Sequence, residues 1–516
     1  MLTGRRALGM LRHDVPMCCD LLTSAERNRV AVLSGLDPKR QETLGQFFTP
    51  SQAAVLIASM PRLPTEGHLR VLDPGAGSGM LAAALVARVL AESKELSVHI
   101  VAVECDPSVV PFLEDTLAAC VDAAPDRVSA ELIVADYITA ATGLGADERL
   151  TGFDMVIQNP PYAKLAASSP ARAAVRSMGV DAPNLYAAFL ALGAGALRTG
   201  GQLVAITPRS FCNGPYFGDF RRYLLEQITL DRIHVFDSRS TVFADTGVLQ
   251  ENVIICGSKG GISRDVMLSS SGGHRDEITG RQVPYAEVVH PDDAHRFIRI
   301  AANADDTEIA EQMLSLPRTL AALGLTASTG RVVDFRSRHC LLPEKAPTAV
   351  PLIYPANLRD GLVTWPREIR KPQWFLPTTD KDKKLLLPQG WYCVIKRFSS
   401  KEERRRIVAS VWSPDAVPGP VAFENHVNVI HVDGEGLDRD LAFGLSLWLN
   451  STLVDKFFRT FSGHTQVNAT DLRTLRFPPL DVLRDLGSLA PPQLPGQPSV
   501  DSLVEQKVLD VVNKAA

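Results

Sequence analysis

From about residue 50 the apolar positions fall into a repeating order of short buried runs and longer helical stretches. Ala53 to Met60 reads as a helix. Thr49 or Ser51 is its cap, and Pro50 is tolerated in its first turn. Strands follow at Leu69–Leu72, Ser97–Val103, Ser129–Val134 and Phe153–Ile157, and helices at Met80–Leu90 and Pro107–Ala119 lie between the first three. Such alternation predicts β-α units and a parallel sheet with every strand end on one edge. Two prolines end the fourth strand, at Asn159-Pro160-Pro161-Tyr162, because neither donates to a ladder and each fixes its own φ.

After Gly257 the pattern changes. Ser258 to Gly280 is rich in Ser, Gly and charge and reads as a connector. Beyond it, short strands (Val350–Tyr354, Trp391–Lys396) alternate with basic loops (Arg367–Lys371, Lys401–Arg406), and Leu441–Phe458 reads as one amphipathic helix. The expected organisation is a helical arm over 1–44, a ligand-binding α/β domain over 45–260 and a linker over 261–283. A second, mixed α+β domain over 284–485 and a Pro-rich tail with a terminal helix over 486–516 complete it.

Composition narrows the class. The chain has 516 residues, 45% hydrophobic and 22% charged, which suits two or three globular domains. Its eight cysteines are scattered with no C-x-x-C pair, so neither a disulfide frame nor a zinc ribbon is expected. No metal-ligand set stands out, and none is expected. No apolar run is long enough to span a membrane. Met1 to Asp20 lacks the continuous apolar core and cleavage site of a signal peptide, so a cytoplasmic protein without membrane contact is expected. The net charge of −4 gives no global sign of nucleic-acid binding, but Arg331 to Ser410 holds 17 basic and 8 acidic residues. That excess fits a local anion-binding surface or a solvated face.

The chemistry gathers at the strand ends. Asp73-Pro74-Gly75-Ala76-Gly77-Ser78-Gly79 joins the first strand to its helix. Its D-x-G-x-G-x-G spacing is neither the dinucleotide G-x-G-x-x-G nor a P-loop, and an acid there suits a ligand bearing a cation. Glu104, ending the second strand, is placed to take both hydroxyls of a ribose. Asp136, after the third, can accept a hydrogen bond from an adenine amino group. At the fourth strand end Asn159 offers a side-chain carbonyl, Pro160 a backbone carbonyl and Tyr162 a flat ring, which suit a planar heterocycle with an exocyclic NH2.

As a set these motifs resemble the S-adenosylmethionine-dependent N6-adenine DNA methyltransferases of restriction–modification systems, of the Taq and Eco57 types. The resemblance covers roughly residues 45–257. It implies a Rossmann-like domain, a mostly parallel seven-stranded sheet with helices on both faces, followed by a C-terminal target-recognition domain. Gln46-Phe47-Phe48-Thr49-Pro50 matches the N-terminal cofactor motif, and Asn184 to Leu190 the helix whose phenylalanine packs on the cofactor. The match thus assigns Phe48, Thr49, Asp73, Pro74, Gly75, Ala76, Gly77, Glu104, Asp136, Tyr137, Asn159, Pro161 and Phe189 to S-adenosyl-L-methionine. It assigns Asn159, Pro160, Pro161 and Tyr162 to catalysis on a flipped-out base in double-stranded DNA. A cognate restriction endonuclease and a bacterial or archaeal cytoplasm, with the nucleoid as substrate, are further implied.

One position departs from the family. A ring is usual in its last catalytic strand, and Asn252 to Gly257 has none; either Phe243 or a residue of the C-terminal half is the substitute, or the base is held from one side only. His464 reads as a polar loop contact. Methyltransferases acting on RNA or protein glutamine share the catalytic loop but leave the basic second half unused, and N4-cytosine enzymes of this kind more often begin the motif with Ser or Thr than with Asn. A catalytically silent DNA-binding protein would not need the intact acids and Asn159.

Overall fold

The computed structural model describes residues 16–36, 45–143, 145–236, 251–262, 264–273, 276–291, 293–300, 304–399, 403–462, 465–491 and 493–509. It divides into two compact units, Met1–Phe211 with Tyr216–Arg296 and Cys212–Pro215 with Phe297–Ala516.

The first unit is built on a nine-stranded sheet. Its strands are β1 (Glu66–Pro74), β2 (Glu95–Glu104), β3 (Val128–Val134), β4 (Phe153–Gln158), β5 (Leu197–Pro208), β6 (Ile228–Phe236), β7 (Asn252–Lys259), β8 (Val266–Ser271) and β9 (Thr279–Val283). Their order is β3-β2-β1-β4-β5-β7-β6-β8-β9. All pairs are parallel except those made by β7 and β9. The order reverses between β1 and β4, and such a switch point opens a crevice at the carboxyl strand ends. Asp73, Glu104 and Asn159 are all at that edge.

One face of the sheet is covered by α1 (Pro16–Gly35), α2 (Ser51–Ser59), α3 (Met80–Glu92) and α4 (Val110–Ala123). Their buried Leu21, Ala54, Ile57, Leu85 and Leu113 share one core with Val71, Ile100, Ile157 and Val204 of the strands. Three further helices follow: the short α5 (Tyr137–Ala141), the amphipathic α6 (Pro170–Ser177) and α7 (Leu185–Ala196), which is apolar all round and buried. On α7, Gly193 lets the helix approach Val156 and Gln158 of β4, where a Cβ would meet their side chains at 3.0–3.1 Å.

Three expected boundaries are corrected. Residues 261–283 are not a linker: β8 and β9 extend the sheet, because Val266, Leu268 and Val283 are buried despite the polar residues between them. The division between the units falls at Arg296 and Phe297, not near residue 260. The described part of the expected arm is α1, whose Leu21 and Ala25 enter the core of the first unit. Its residues 1–15 and 37–44 are outside the described set.

The second unit carries two further sheets. Thr326–Thr329, Val427–His431, Tyr392–Lys396, Ala409–Trp412, Leu362–Val363 and Leu358–Arg359 form a six-stranded sheet in that order. Leu341–Leu342, Trp374–Phe375, Val350–Ile353, Val421–Phe423 and Leu386–Leu387 form a five-stranded one. The expected single helix over 441–458 is two, Arg439–Leu449 and Thr452–Phe461. Asn450 leaves the helix to bond the Ala409 carbonyl at 2.8 Å, and the Ser451 hydroxyl caps the next one on the Val454 N–H. The expected tail is part of this unit's core, where Leu486, Val500, Val504 and Val508 are buried.

Candidate active site

Asn159 follows directly on β4, and its amide is fixed from the other end of the unit. Nδ2 donates to the Phe47 carbonyl at 2.7 Å and to the Thr49 hydroxyl at 3.0 Å. Both amide protons are thereby committed, which sets the rotamer and leaves Oδ1 as the outward acceptor. The Tyr162 hydroxyl donates to that Oδ1 at 3.2 Å. Thr49 or Ser51 was expected to cap α2, and the resemblance also gave Thr49 to the cofactor; in the structure the Thr49 hydroxyl accepts from the Asn159 amide and caps nothing. Pro50 occupies the cap position without a side-chain bond, and the Glu26 carboxylate accepts from the Ser51 N–H.

The loop after β4 is held in place along its length. The Tyr162 N–H donates to the Gly45 carbonyl, and backbone bonds run from Leu165 to Pro183 and from Leu185 to Ala163. Gly45 has φ +65°, and a Cβ there would stand 2.6 Å from the Ala163 nitrogen. The Tyr162 ring lies between Phe47 (centroids 5.2 Å) and the edge of Tyr186 (6.2 Å). Tyr186 in turn stacks on Phe217 and bonds the Ser210 hydroxyl at 3.0 Å. Phe47, Gly45 and Tyr186 were not singled out individually. The doubled phenylalanine before Thr49 was the signal for the first of them.

The glycine loop lies beside this. Gly75 and Ala76 N–H groups donate to the Val103 carbonyl, so β2 fixes the turn. A Cβ on Gly75 would meet Phe189 at 3.1 Å and Pro161 at 3.9 Å; one on Gly77 would meet Phe48 at 3.1 Å. The loop therefore runs between aromatic walls that only glycine clears. Phe189 also packs on Tyr137, with centroids 5.0 Å apart.

Two acids face this cradle. Asp73 is 1% exposed, and neither carboxylate oxygen has a hydrogen-bond partner. Burial, with Glu104 nearby, pushes its pKa up to about 8. Glu104 takes the Gly77 N–H on Oε2 at 2.9 Å and the Cys105 and Asp106 N–H groups on Oε1 at 2.8 Å. Burial raises its pKa, and those three N–H groups oppose the rise. Asp136 caps α5, its Oδ1 accepting the Thr139 N–H and hydroxyl at 2.8 Å. Pro74 lies in register with Val103, at the floor of the loop.

Buried polar atoms without partners also occur on Gln158, Thr207 and Asn252, at the same edge of β4, β5 and β7. No residue pattern along the chain had marked them. Phe243 and His464 lie outside the described residues. Among the described residues no helix is long and apolar enough to cross a membrane.

A family model, the Eco57I restriction-modification methylase, matches residues 130–243, from β3 past the Asn159 loop and α7. Over 501 residues, 95% of this chain and 98% of the other, the protein is 39% identical to the type II methyltransferase M.BsuBI of Bacillus subtilis. It is 38% identical to the type II methyltransferase M.PstI of Providencia stuartii over 502 residues, 96% and 98% of the two chains. The chain belongs to the type II restriction–modification methyltransferases. A solved structure of the type IIL restriction-modification enzyme MmeI in complex with DNA is similar to this methyltransferase with a TM-score of 0.55. At 12% identity, covering 96% of this chain and 73% of that one, it shows a shared fold.

Proposed function

We propose that this methyltransferase transfers a methyl group from S-adenosyl-L-methionine to N6 of an adenine flipped out of duplex DNA. It is then the modification enzyme of a cytoplasmic type II system with a cognate endonuclease. The observation that carries this reading is the fixed amide of Asn159, whose protons are taken by Phe47 and Thr49 and whose Oδ1 is left to accept. An acceptor in that state suits an exocyclic amino group and not a carbonyl. Adenine is preferred to cytosine because the motif starts with Asn, as family usage has it.

The residues present fit the cofactor. The unpartnered Asp73 carboxylate answers its ammonium, Glu104 its ribose hydroxyls and Asp136 Oδ2 its adenine amine. Phe48, Phe189 and Pro161 wall the glycine cradle. When bound, S-adenosyl-L-methionine supplies an electrophilic methyl on a sulfonium. The protein's own part is orientation. Asn159 Oδ1 and the Pro160 carbonyl take the two amine N–H bonds, turning the nitrogen lone pair out of conjugation with the ring. For that, Tyr162 gives up Oδ1, and its ring stacks on the displaced base. Duplex DNA as substrate draws support from the DNA complex of the similar enzyme MmeI and from the basic stretch 331–410.

The test is incubation with methyl-labelled cofactor and unmethylated plasmid, followed by nucleoside analysis. Label in N6-methyladenine is expected. Label in N4-methylcytosine would correct the base, and label confined to RNA or protein would overturn the reading.

A further inference from the structure

Three side chains of different chemistry meet in the second unit, well away in sequence from the residues above. His339 Nε2 is 3.4 Å from Asp382 Oδ1, and one ligand atom each of His339, Cys340 and Asp382 lies within 4.8 Å of the others. A charge-assisted hydrogen bond between such groups is about 2.7–2.9 Å long, so 3.4 Å is a poor one. It does match the edge of a tetrahedral zinc shell, about 3.3 Å for bonds of about 2.0–2.1 Å.

The carboxylate is already prepared. Asp382 Oδ2 accepts from the N–H and hydroxyl of both Thr378 and Thr379, at 2.8–3.2 Å, which turns Oδ1 towards the histidine and the thiol. The Cys340 sulfur lies within hydrogen-bond reach of Thr378 and of the Asp382 carboxylate. Such outer donors orient and stabilise metal ligands. Cys340 and Asp382 are buried, whereas the His339 side chain is 55% exposed, so the cluster has one open side.

We propose that His339, Cys340 and Asp382 bind one divalent zinc-class ion, with water in the fourth position. The mixed nitrogen, sulfur and oxygen donors suit zinc. On binding, the Cys340 thiol proton leaves to solvent and a metal–thiolate bond forms.

The position in the fold gives the ion a purpose. Cys340 leads directly into Leu341–Leu342, and Asp382 precedes Leu386–Leu387; these are the two edge strands of the five-stranded sheet. Each is two residues long, and the core beneath is small, with Val332, Val350, Leu352, Tyr354, Phe375 and Ala422 as its other buried members. An ion held by both segments ties the two edges together.

The untagged full-length chain, freed of metal by a chelator, is titrated with cobalt(II) and separately with zinc. One cobalt per chain is expected, with a thiolate-to-cobalt charge-transfer band. Cys340→Ser should abolish the band, and His339→Gln, at an exposed position that leaves folding intact, should weaken cobalt binding at least tenfold. Zinc should raise the melting temperature of the wild type and of neither variant. Absence of the band, or cobalt binding by both variants as tight as that of the wild type, would show a hydrogen-bonded cluster only and overturn the proposal.

Discussion

Asp73 is the residue whose charge state matters most. Its carboxyl, buried without partners, holds a proton up to about pH 8 in the free protein, whereas an unfolded aspartate loses it near about 3.9. The folded state thus binds the extra proton between those values. This term stabilises the ligand-free protein fully below the unfolded value and is lost as pH rises towards 8. Glu104, also raised, acts in the same direction. A cation beside Asp73 reverses the preference, so cofactor binding at about pH 6.5 should release close to one proton and tighten with rising pH. Calorimetric titrations in buffers of different ionisation heat measure this; binding without proton release would contradict the role.

Thr49 and Asp136 give two further tests. Thr49→Val removes one acceptor for the Asn159 amide, and a loss of about tenfold in kcat, or about 1.4 kcal/mol, is expected with little change in cofactor Kd. Equal loss of both would move Thr49 to the cofactor. Asp136→Ala should weaken the cofactor and also cost about 1 kcal/mol of stability through the lost cap, whereas Asp136→Asn keeps a capping oxygen. Melting curves with and without cofactor separate the two effects. The acids and Asn159 were legible in the sequence because each ends a recognisable strand. The Phe47 carbonyl that fixes Asn159 was not, since a backbone acceptor distant in sequence leaves no residue-type signal. Thr49 was visible, but as one of two candidate caps and as a cofactor residue, because a hydroxyl beside a helix start gives no sign of a partner distant in sequence.

At the scale of elements, the strand–helix order of β1 to β4 was legible because β1, β2 and β4 end in continuous apolar runs that are buried on both faces, while β3, at the sheet edge, is apolar enough to read as a strand though only partly buried. The β8 and β9 pair was not. It has few apolar residues, and Ser269 and Ser271 are buried through bonds to His234 at 3.0 Å, so its polarity imitates a connector. In the second unit, Arg439–Leu449 packs on Leu480–Ser488 through two glycines. A Cβ on Gly444 would stand 1.8 Å from the Leu483 carbonyl, and one on Gly487 as close to the Asp440 carbonyl. Such a contact forces the backbones apart. Gly444→Ala is therefore expected to destabilise this unit by about 3 kcal/mol. All five tryptophans belong to the second unit, so urea unfolding followed by their fluorescence reads it directly. An unchanged midpoint would show that the helices separate without strain.

For the whole molecule, charge and composition said little: a net −4 would not point to DNA. The proposed reaction rests on one edge of one sheet, where an acceptor amide, a tyrosine ring and an unpartnered acid lie around a glycine cradle. The most direct measurement compares genomic DNA from cells expressing the wild type and Asn159→Ala, by nucleoside mass spectrometry and long-read mapping. Binding of labelled cofactor by both purified proteins is the control. The account predicts N6-methyladenine at one recurring sequence with the wild type, none with the variant, and similar cofactor affinity in both. Methylation that survives in the variant, or that falls on another base, would contradict it.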